Sequence, residues 1–394
     1  MFEIMLGGGG RLIESGFFSF RIYLFFVLLL ITLPVFIKYL IKNQVSKIII
    51  YSFIGYTLVI IIGFIIAKIC HNENSLIFID IKPLSFFYSI MFIYLFIQDK
   101  NQIEIIKKII KFSSLVMAIG YFICFLLLNT GFNWFNYNSF YNFLLPFGEF
   151  FFRGSVAFFY KGFFYMCIGL IFWVFDEKKY SKYIATFIFL AIFLTYTRGF
   201  LLAFCLAFLI HYILSNSSNF KKIILAILAT VIAIFIFSVL LSSSFEYLET
   251  RASYKIDKKS LDTKDISNQE RIKQIQDVFS EVSYLSIIQG HGYGKGVKSR
   301  NIHMEISYLE IFHKQGIIGM AMWISFFILI FKLYLQSLKM KIQKETNPFF
   351  VSILFTFIVS LTNPFLNNPL GLSILIITLV YFNLLINKSK KTVL

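Results

Sequence analysis

The long hydrophilic segment 242–315 carries several side chains whose chemistry could act on a substrate. His303 stands near its end, and a neutral imidazole can accept a proton at physiological pH, as a general base must. A helix is predicted from Asn301 to about Lys314, and the positive end of its dipole would favour the neutral form of a histidine in its first turn. Periodicity alone favours another interpretation, a solvated histidine at a loop–helix junction. The sequence therefore leaves a base as one of two interpretations of His303.

Three arginines lie in or beside apolar stretches, where a charge is costly, or on the hydrophilic segment. Arg198 interrupts an apolar stretch, Arg153 comes just before another, and Arg271 lies in the first turn of a second helix predicted within the hydrophilic segment. A guanidinium is always charged and matches phosphate oxygens with two parallel hydrogen bonds. The arginines could form a clamp for a pyrophosphate, although each could also extend toward lipid headgroups. For any one of them the two interpretations have equal weight.

The second predicted helix begins with a recognisable start signal. Residues Ser267–Glu270 have the pattern of a capping box, with Ser267 as the N-cap. Apolar residues recur after it at helical spacing, namely Ile272, Ile275, Phe279 and Val282. This local order argues against a flexible tether, which is the plain alternative for the hydrophilic segment.

Glycines alternate with other residues from Gly290 to Gly296, which lets the backbone approach a ligand closely. The spacing fits neither a phosphate-binding P-loop nor the dinucleotide-binding pattern, and the segment alone could be a turn. Neither D-x-D nor H-E-x-x-H occurs. Four of the 5 histidines are too scattered for an obvious metal cluster, and only His291 is near His303. The 4 cysteines lie in or beside apolar runs without a C-x-x-C pair, so neither a zinc site nor a disulfide framework is predicted.

The composition shows what surrounds these residues. Of the 394 residues 58% are hydrophobic and 14% are charged, against about 25% charged in a soluble domain. A water-soluble enzyme and a disordered chain are both excluded, and a polytopic helical membrane protein is predicted. The formal net charge is +17, but most lysines form short clusters between apolar runs. Membrane topology explains such clusters better than nucleic-acid binding does.

Eleven membrane spans are predicted from apolar length. They lie near residues 20–40, 48–69, 84–98, 109–128, 156–175, 184–197, 199–214, 223–241, 316–335, 349–362 and 370–386. A helix break at Thr197-Arg198-Gly199 makes the lysine clusters alternate as the positive-inside rule requires. The C-terminus is then cytoplasmic, and both Arg198 and the hydrophilic segment face outward. The chain divides into N-terminal transmembrane helices (1–241), the large loop (242–315) and C-terminal transmembrane helices with a tail (316–394). Its start lacks the features of a signal peptide.

Taken in order, these features resemble the O-antigen polymerase and O-antigen ligase superfamily of bacterial inner membranes. The matching features are Thr195–Gly199 at a helix break, Arg271 early in an external helix, Gly290–Gly294, and His303 ahead of Tyr308-Leu309-Glu310 and Gly316–Gly319. They cover about residues 185–325. The Gly7–Arg11 and His303–Gly319 segments are more similar to the repeat-unit polymerases of the Wzy type than to the ligases. The family usually has about twelve spans, so about 11–12 transmembrane helices are expected, with one large, partly helical periplasmic loop.

The resemblance implies metal-independent inverting glycosyl transfer at the periplasmic face, with undecaprenyl-pyrophosphate-linked glycans as donor and acceptor. By the same resemblance Arg198 and Arg271 would bind the donor pyrophosphate, and His303 would accept the proton of the acceptor hydroxyl. Arg153 would be a further phosphate contact, and Tyr308, Glu310, Gly292 and Gly294 would line the sugar groove. No cofactor is expected, because pyrophosphate is already a good leaving group. The partners implied are membrane lipids, a chain-length regulator and a flippase, and no nucleic acid.

Two alternatives remain beside a polymerase. A ligase, which transfers the finished glycan to a lipid A core, would need the same arginines and base. A lipid-linked oligosaccharide flippase or other transporter would be expected to place charges along an intramembrane pathway, often in repeated halves. No repeat is visible in the sequence and the candidate residues gather toward one face, which favours an enzyme.

Overall fold

The computed structural model of the chain describes residues 2–7, 14–15, 18–129, 137–145, 148–153, 157–215, 224–225, 227–237, 239–240 and 263–393. Helices dominate these residues, and the strands form two short antiparallel hairpins. Within the described ranges, 7 helices are long and apolar enough to cross a membrane, and three shorter apolar helices accompany them. The prediction of an all-α polytopic membrane protein is confirmed. The total number of spans and their orientation stay predictions.

The elements are named in chain order. The helices are α1 (Phe2–Gly7), α2 (Phe20–Ile41), α3 (Lys47–Ile69), α4 (Asn74–Leu84), α5 (Ile90–Phe96), α6 (Lys100–Asn129), α7 (Tyr137–Leu144), α8 (Phe163–Val174), α9 (Ser181–Leu194), α10 (Arg198–Ser215), α11 (Ile227–Phe237), α12 (Thr263–Ser280), α13 (Tyr284–Gln289), α14 (Ser307–Lys339), α15 (Gln343–Val359) and α16 (Pro369–Val393). The strands are β1 (Glu14–Ser15), β2 (Phe18–Ser19), β3 (Phe150–Arg153) and β4 (Ala157–Tyr160). The first part of the hydrophilic segment, 242–262, and residues 8–13 of the glycine-rich start lie outside the described residues.

Two predicted spans have different bounds in the structure. The span predicted at 84–98 begins at Asn74, and a 3₁₀ turn joins α4 to α5 within it. Asp80 and Lys82 lower the hydropathy of its first part, which is helical nonetheless. The span predicted at 156–175 is helical only from Phe163, because its first residues form β4 and pair with β3. Aromatic side chains suit a pleated strand as well as an apolar helix, so hydropathy alone could not separate the two.

The helix break predicted within 184–214 is confirmed. Helix α9 ends at Leu194 and α10 begins at Arg198. Between them the Thr195 hydroxyl donates to the Ile192 carbonyl at 2.7 Å, and Tyr196 has a positive φ of 54°. A left-handed residue and a hydroxyl that caps a carbonyl both end a helix. Arg198 therefore stands at a helix start, not in a helix interior.

The described residues fall into two compact units. The first comprises Met1–Arg21, Glu104–Asp265 and Asn347–Ile358. Helix α8 is its core, with every side chain from Phe163 to Trp173 buried. The Phe355 ring packs against Phe164 and Phe200 with ring centroids 6.0 and 5.8 Å apart. This unit contains Arg198 and Arg153.

The second unit comprises Ile22–Ile103, Ile266–Thr346 and Val359–Leu394. Helix α16 is buried along most of its length and packs against α14, α3 and α5. On α3, Tyr56 stacks on Phe87 with ring centroids 3.9 Å apart, and Phe87 in turn contacts Phe326 of α14. This unit contains Arg271, His303 and the glycine-rich segment, so it holds most of the predicted site.

Helix α12 differs from the prediction in its start and in its buried face. It begins at Thr263, so Ser267 lies inside the helix and is not an N-cap. Gln274 and Val278 are buried, whereas Ile272, Ile275 and Phe279 of the predicted apolar face are exposed. Exposed apolar side chains are common on folded proteins, so an apolar stripe does not by itself show which face is packed. The periodicity was therefore helical, but it did not identify the packed face.

Helix α14 begins at Ser307, not at Asn301 as predicted. Ile306 is its extended N-cap residue, with φ −101° and ψ 112°, so His303 lies in the preceding loop and not in the first helical turn. The predicted effect of the helix dipole on His303 is therefore wrong. The external helix and the span predicted from 316 are two parts of α14, which is interrupted at Gly316 by a φ of 61°. A side chain there would meet the Ile288 carbonyl oxygen at 2.4 Å, so α14 bends where α13 approaches it.

The segment Gly290–Gly296 packs against the second unit's helices. Gly290, Gly292 and Gly294 all have positive φ angles, of 75°, 76° and 81°. A Cβ atom on Gly292 would meet the backbone nitrogen of Ala67 at 2.3 Å, and one on Gly294 would meet Ile77 at 2.9 Å. Asn72 fixes the segment by donating to the carbonyls of His291 and Tyr293 at 3.0 and 2.8 Å. The glycines thus allow a close approach of backbone to α3 and α4.

We expect Gly292→Ala to lower the thermal stability of the purified protein strongly, because it combines a positive φ with a backbone clash at one position. Strain of this kind costs about 1–3 kcal/mol before the clash is counted. Gly120→Ala is the control, since a Cβ atom there meets nothing within 4 Å. Unfolding in detergent, followed by intrinsic fluorescence, measures both. Equal melting temperatures for the two variants would show that the packing of the segment is not needed.

Candidate active site

A cluster of charged side chains lies buried beneath His303 in the second unit. The Lys314 ammonium is 2.7 Å from Asp80 Oδ1 and 2.6 Å from Glu310 Oε1. The exposed fractions of these three side chains are 3%, 5% and 4%. Bringing charges out of water costs several kcal/mol each, and such a cluster persists only when every charge is paired. Lys314 pairs with both carboxylates at once.

Hydrogen bonds from two other parts of the chain complete the cluster. The backbone N–H of Gly294 donates to Asp80 Oδ2 at 2.7 Å, and the Asn367 amide donates to Glu310 Oε2 at 2.9 Å. Ser307, one turn before Glu310, donates to the Asn363 carbonyl at 3.1 Å. Each carboxylate therefore uses one oxygen for Lys314 and the other for a neutral donor. These contacts fix both carboxylates in one orientation.

His303 contacts this cluster from the exposed side. Its Nδ1 atom is 3.2 Å from Glu310 Oε1 and 3.6 Å from Asp80 Oδ1, while 44% of the side chain is exposed. An ionised carboxylate can only accept a hydrogen bond, so Nδ1 carries the proton and donates it to Glu310. The Nε2 atom on the other side of the ring is then the acceptor. The expected helix dipole would have favoured a neutral ring, whereas the observed carboxylates orient the ring through its Nδ1–H.

The charge of the cluster suits a proton acceptor. Asp80 and Glu310 contribute two negative charges and Lys314 one positive charge, so the three side chains together are negative by one. A proton on Nε2 would turn His303 into a cation beside this negative charge, and an opposite charge at that distance stabilises the cation. The arrangement is that of a histidine base oriented by a carboxylate.

His303 and Glu310 could be identified from the sequence. The roles of Asp80 and Lys314 in the cluster, and of Asn367 as a donor to it, could not. Asp80 lies in α4, within a run of apolar residues, and Asn367 precedes α16. Lys314 was predicted as the approximate end of the helix that starts at Asn301, without a role. The argument that singled out Arg198, that a charge in an apolar stretch has a function or a partner, applies equally to Asp80. No local signal relates Asp80 to a histidine more than 200 positions later.

Arg271 forms an ion pair with the loop that carries His303. Its Nε atom is 2.9 Å from Glu305 Oε2, and Arg300 Nη1 is 3.1 Å from the other oxygen of Glu305. The backbone N–H of Glu305 donates to Gln274 of α12 at 2.9 Å, which fixes the same loop again. Two guanidinium groups with one carboxylate between them leave one net positive charge. Arg300 was not identified from the sequence, and its place beside Arg271 depends on the shared Glu305.

Arg198 and Arg153 lie in the first unit, at the start of α10 and at the end of β3. The predicted clamp of Arg198 with Arg271 therefore stays a prediction. Tyr308 is half-buried in the first turn of α14. Gly292 and Gly294 are buried against helices, so their predicted contact with a sugar stays a prediction beside the packing role that the structure gives them.

Two groups of side chains in the second unit could bind a cation. Asp80, His303 and Glu310 offer ligand atoms within 4.8 Å of one another, and so do Glu281, His291 and His313. In the first group the Lys314 ammonium already lies between the two carboxylates. The rings of His291 and His313 have centroids 4.7 Å apart. The expectation that the histidines are too scattered to form a cluster is therefore wrong for this pair. Burial lowers the pKa of His291, which favours its neutral form.

The chain is similar to known proteins over nearly its whole length. Residues 183–324 match the family described as O-antigen ligase. An O-antigen polymerase from Shigella flexneri is 29% identical over 381 residues, which are 95% of this chain and 90% of that relative. No solved structure matches the chain. The resemblance drawn from the sequence motifs is thereby confirmed, and the matched segment contains Arg198, Arg271 and His303.

We expect Lys314→Met to destabilise the protein severely, because it leaves two buried carboxylates unpaired. Removing one partner of a buried ion pair typically costs about 3–5 kcal/mol. Lys388→Met is the matched control, since the Lys388–Asp99 pair has a similar distance of 2.8 Å but side chains that are 46% and 65% exposed. The melting temperature in detergent and the amount of protein in the membrane measure the effect.

The triple variant Asp80→Asn, Glu310→Gln, Lys314→Met tests whether charge is the cause. We expect it to be more stable than Lys314→Met alone, since no uncompensated charge remains in it. A triple variant that is less stable than the single variant would show that shape, and not charge balance, sets the stability of the cluster.

Proposed function

We propose that this chain is an O-antigen polymerase that joins lipid-linked oligosaccharide repeat units. It resembles one such polymerase over nearly its whole length and the O-antigen ligase family over residues 183–324. The donor is a glycan on undecaprenyl pyrophosphate, the acceptor is a second lipid-linked glycan, and transfer takes place at the periplasmic face of the bacterial inner membrane. The observation that supports this most directly is the half-exposed His303 held on Glu310. The similarity to the Shigella flexneri polymerase favours this acceptor over a lipid A core.

The proposed reaction is a single displacement. His303 Nε2 accepts the proton of an acceptor sugar hydroxyl, and the oxygen attacks the anomeric carbon of the donor. The bond between that carbon and the pyrophosphate oxygen breaks, its electron pair leaves with the lipid pyrophosphate, and the anomeric configuration inverts. The negative charge of Asp80, Glu310 and Lys314 together stabilises the imidazolium that forms. No metal ion takes part in these steps.

Arginine side chains would stabilise the leaving group. Arg271 and Arg300 already share a carboxylate at Glu305, so their guanidinium groups are positioned for an anion on the loop of His303. Arg198 and Arg153 are proposed as further phosphate contacts, as the resemblance to the family implies. Donors aimed at charge that develops in the transition state commonly contribute the largest part of the rate enhancement. Tyr308 is proposed to contact the sugars, and a chain-length regulator and a flippase are proposed partners.

A ligase is the second candidate, because the family matched by residues 183–324 is described as O-antigen ligase. A ligase would use the same base and arginines and differ in its acceptor. The products of the two reactions separate them. Loss of a polymerase leaves a core capped with one repeat unit, whereas loss of a ligase leaves bare core and polymer stranded on its lipid carrier.

We expect His303→Ala to abolish polymer while the protein stays folded in the membrane. Loss of a general base lowers a rate by about 10²–10⁴-fold. Gel profiles of lipopolysaccharide from cells that lack the gene, complemented with wild type or variant, measure this directly. His71→Ala is the control, because His71 is exposed in the turn after α3. A ladder of wild-type length from His303→Ala would remove His303 from the reaction, and bare core in both uncomplemented and variant cells would favour the ligase.

We expect Arg271→Ala to reduce polymer strongly, and Arg271→Lys to reduce it less, because lysine keeps the charge but loses the paired hydrogen bonds. Removing one such donor commonly costs about 10²–10³-fold in rate. Lys273→Ala is the matched control, an exposed cation on the same helix. Normal ladders from Arg271→Ala would show that this arginine only anchors Glu305. Arg198→Ala is expected to behave as Arg271→Ala does.

A further inference from the structure

Three side chains from three separate parts of the second unit converge beside the charged cluster. Glu281 follows α12, His291 lies in the glycine-rich segment, and His313 lies on α14. Each offers one ligand atom, and these atoms all lie within 4.8 Å of one another. The backbone brings them together, since the N–H of His291 donates to the His313 carbonyl at 2.9 Å. Two imidazoles and one carboxylate form a ligand set typical of divalent transition metals.

The polar atoms of this group lack partners that would explain their burial. His313 is only 2% exposed, and neither of its ring nitrogens has a hydrogen-bond partner among the described residues, although the backbone of Gly296 comes near the ring. Glu281 Oε2 is buried and without a hydrogen bond as well. Buried polar atoms are nearly always satisfied, and an exception indicates a ligand, an ion or water. His313 and Glu281, which carry these atoms, both belong to the same three-residue group.

A nearby lysine offers a rival explanation for the carboxylate but not for the histidines. Lys295 Nζ is 3.9 Å from Glu281 Oε2, beyond hydrogen-bond distance, and 44% of its side chain is exposed. It can offset the charge of Glu281, yet it provides no partner for His313. The neighbouring group of Asp80, His303 and Glu310 differs in this respect, because Lys314 lies within 2.7 Å of both of its carboxylates.

We propose that Glu281, His291 and His313 bind a divalent transition-metal ion, with Zn²⁺ as the closest chemical match. Zinc binds imidazole nitrogen and carboxylate oxygen at about 2.0–2.2 Å, so two ligand atoms in a tetrahedral site lie about 3.4 Å apart. The ligand atoms now lie within 4.8 Å of one another, so binding would require rotation of the partly exposed Glu281 and His291 side chains. Water completes the fourth position.

The ion would act as a structural brace. It would link the end of α12, the glycine-rich segment and α14, next to the point where the Gly292 N–H donates to the Lys314 carbonyl at 3.0 Å. Because Gly294 of the same segment donates to Asp80, the brace would support the cluster beneath His303. The inference does not depend on the proposed glycosyl transfer, and the ion has no part in the reaction steps.

The test uses the full-length protein in detergent, purified with a tag that contains no histidine and supplied with Zn²⁺ alone. Metal analysis after removal of free ion is expected to find about one zinc per chain, held tightly enough to survive desalting. His291→Ala and Glu281→Gln are expected to retain less than about a tenth of that amount. Both residues are partly exposed, so their variants keep the buried core intact, whereas His313→Ala is added only if it folds. Co²⁺ in place of Zn²⁺ is expected to give the visible absorption of a tetrahedral site.

Two histidine variants serve as controls. His71→Ala and His303→Ala are expected to keep the ion, and His303→Ala also separates this group from the neighbouring one. The proposal fails if the wild type holds no zinc after desalting, or if His291→Ala and Glu281→Gln hold as much as the wild type. It also fails if His303→Ala loses the ion while His291→Ala keeps it, since the ion would then belong to the neighbouring group. The gel profile of lipopolysaccharide, which measures glycosyl transfer, decides none of these outcomes. The two proposals can therefore fail separately.

Discussion

One buried ion pair network, Lys314 with Asp80 and Glu310, is the constraint on which the second unit depends. Three charges that are nearly inaccessible to water can coexist only if their distances stay close to hydrogen-bond length. This requirement fixes α4 against α14, holds the glycine-rich segment through Asp80, and holds the loop before α16 through Glu310. The positions of His303 and of its loop follow from this arrangement. A set of apolar residues of the same volume would pack as well but would not orient a histidine.

The same constraint explains why unusual backbone conformations surround the site. Glycines with positive φ bring the backbone near enough for Gly294 to reach Asp80, and the break at Gly316 lets the first turns of α14 leave the axis of the membrane-spanning part. Arg271 and Arg300 add a positive region through Glu305, two residues after His303. Under the proposed function, His303 would accept the proton, and Arg271 and Arg300 would face the pyrophosphate leaving group.

The sequence predicted the fold class, most apolar helices and the break at Arg198, because hydropathy and helix-breaking residues are local signals. It missed the start of α14 and the buried face of α12, because periodicity indicates a helix but neither its first residue nor the face that its neighbours cover. It also missed Asp80 as the partner of Lys314. That contact joins residues far apart in the chain, and only the packing of α4 against α14 brings them together. His313 was missed for the same reason.

The central claim is that Glu310 acts on the reaction through His303. A double-mutant cycle with purified protein and a lipid-linked oligosaccharide substrate tests it in single-turnover experiments, using wild type, Glu310→Gln, His303→Ala and the double variant. If Glu310 acts through His303, Glu310→Gln slows the wild type by about tenfold or more and does not slow His303→Ala any further. Melting temperatures measured on the same samples show that each variant is folded. Rate losses that multiply in the double variant, or a normal rate for Glu310→Gln, would contradict the account.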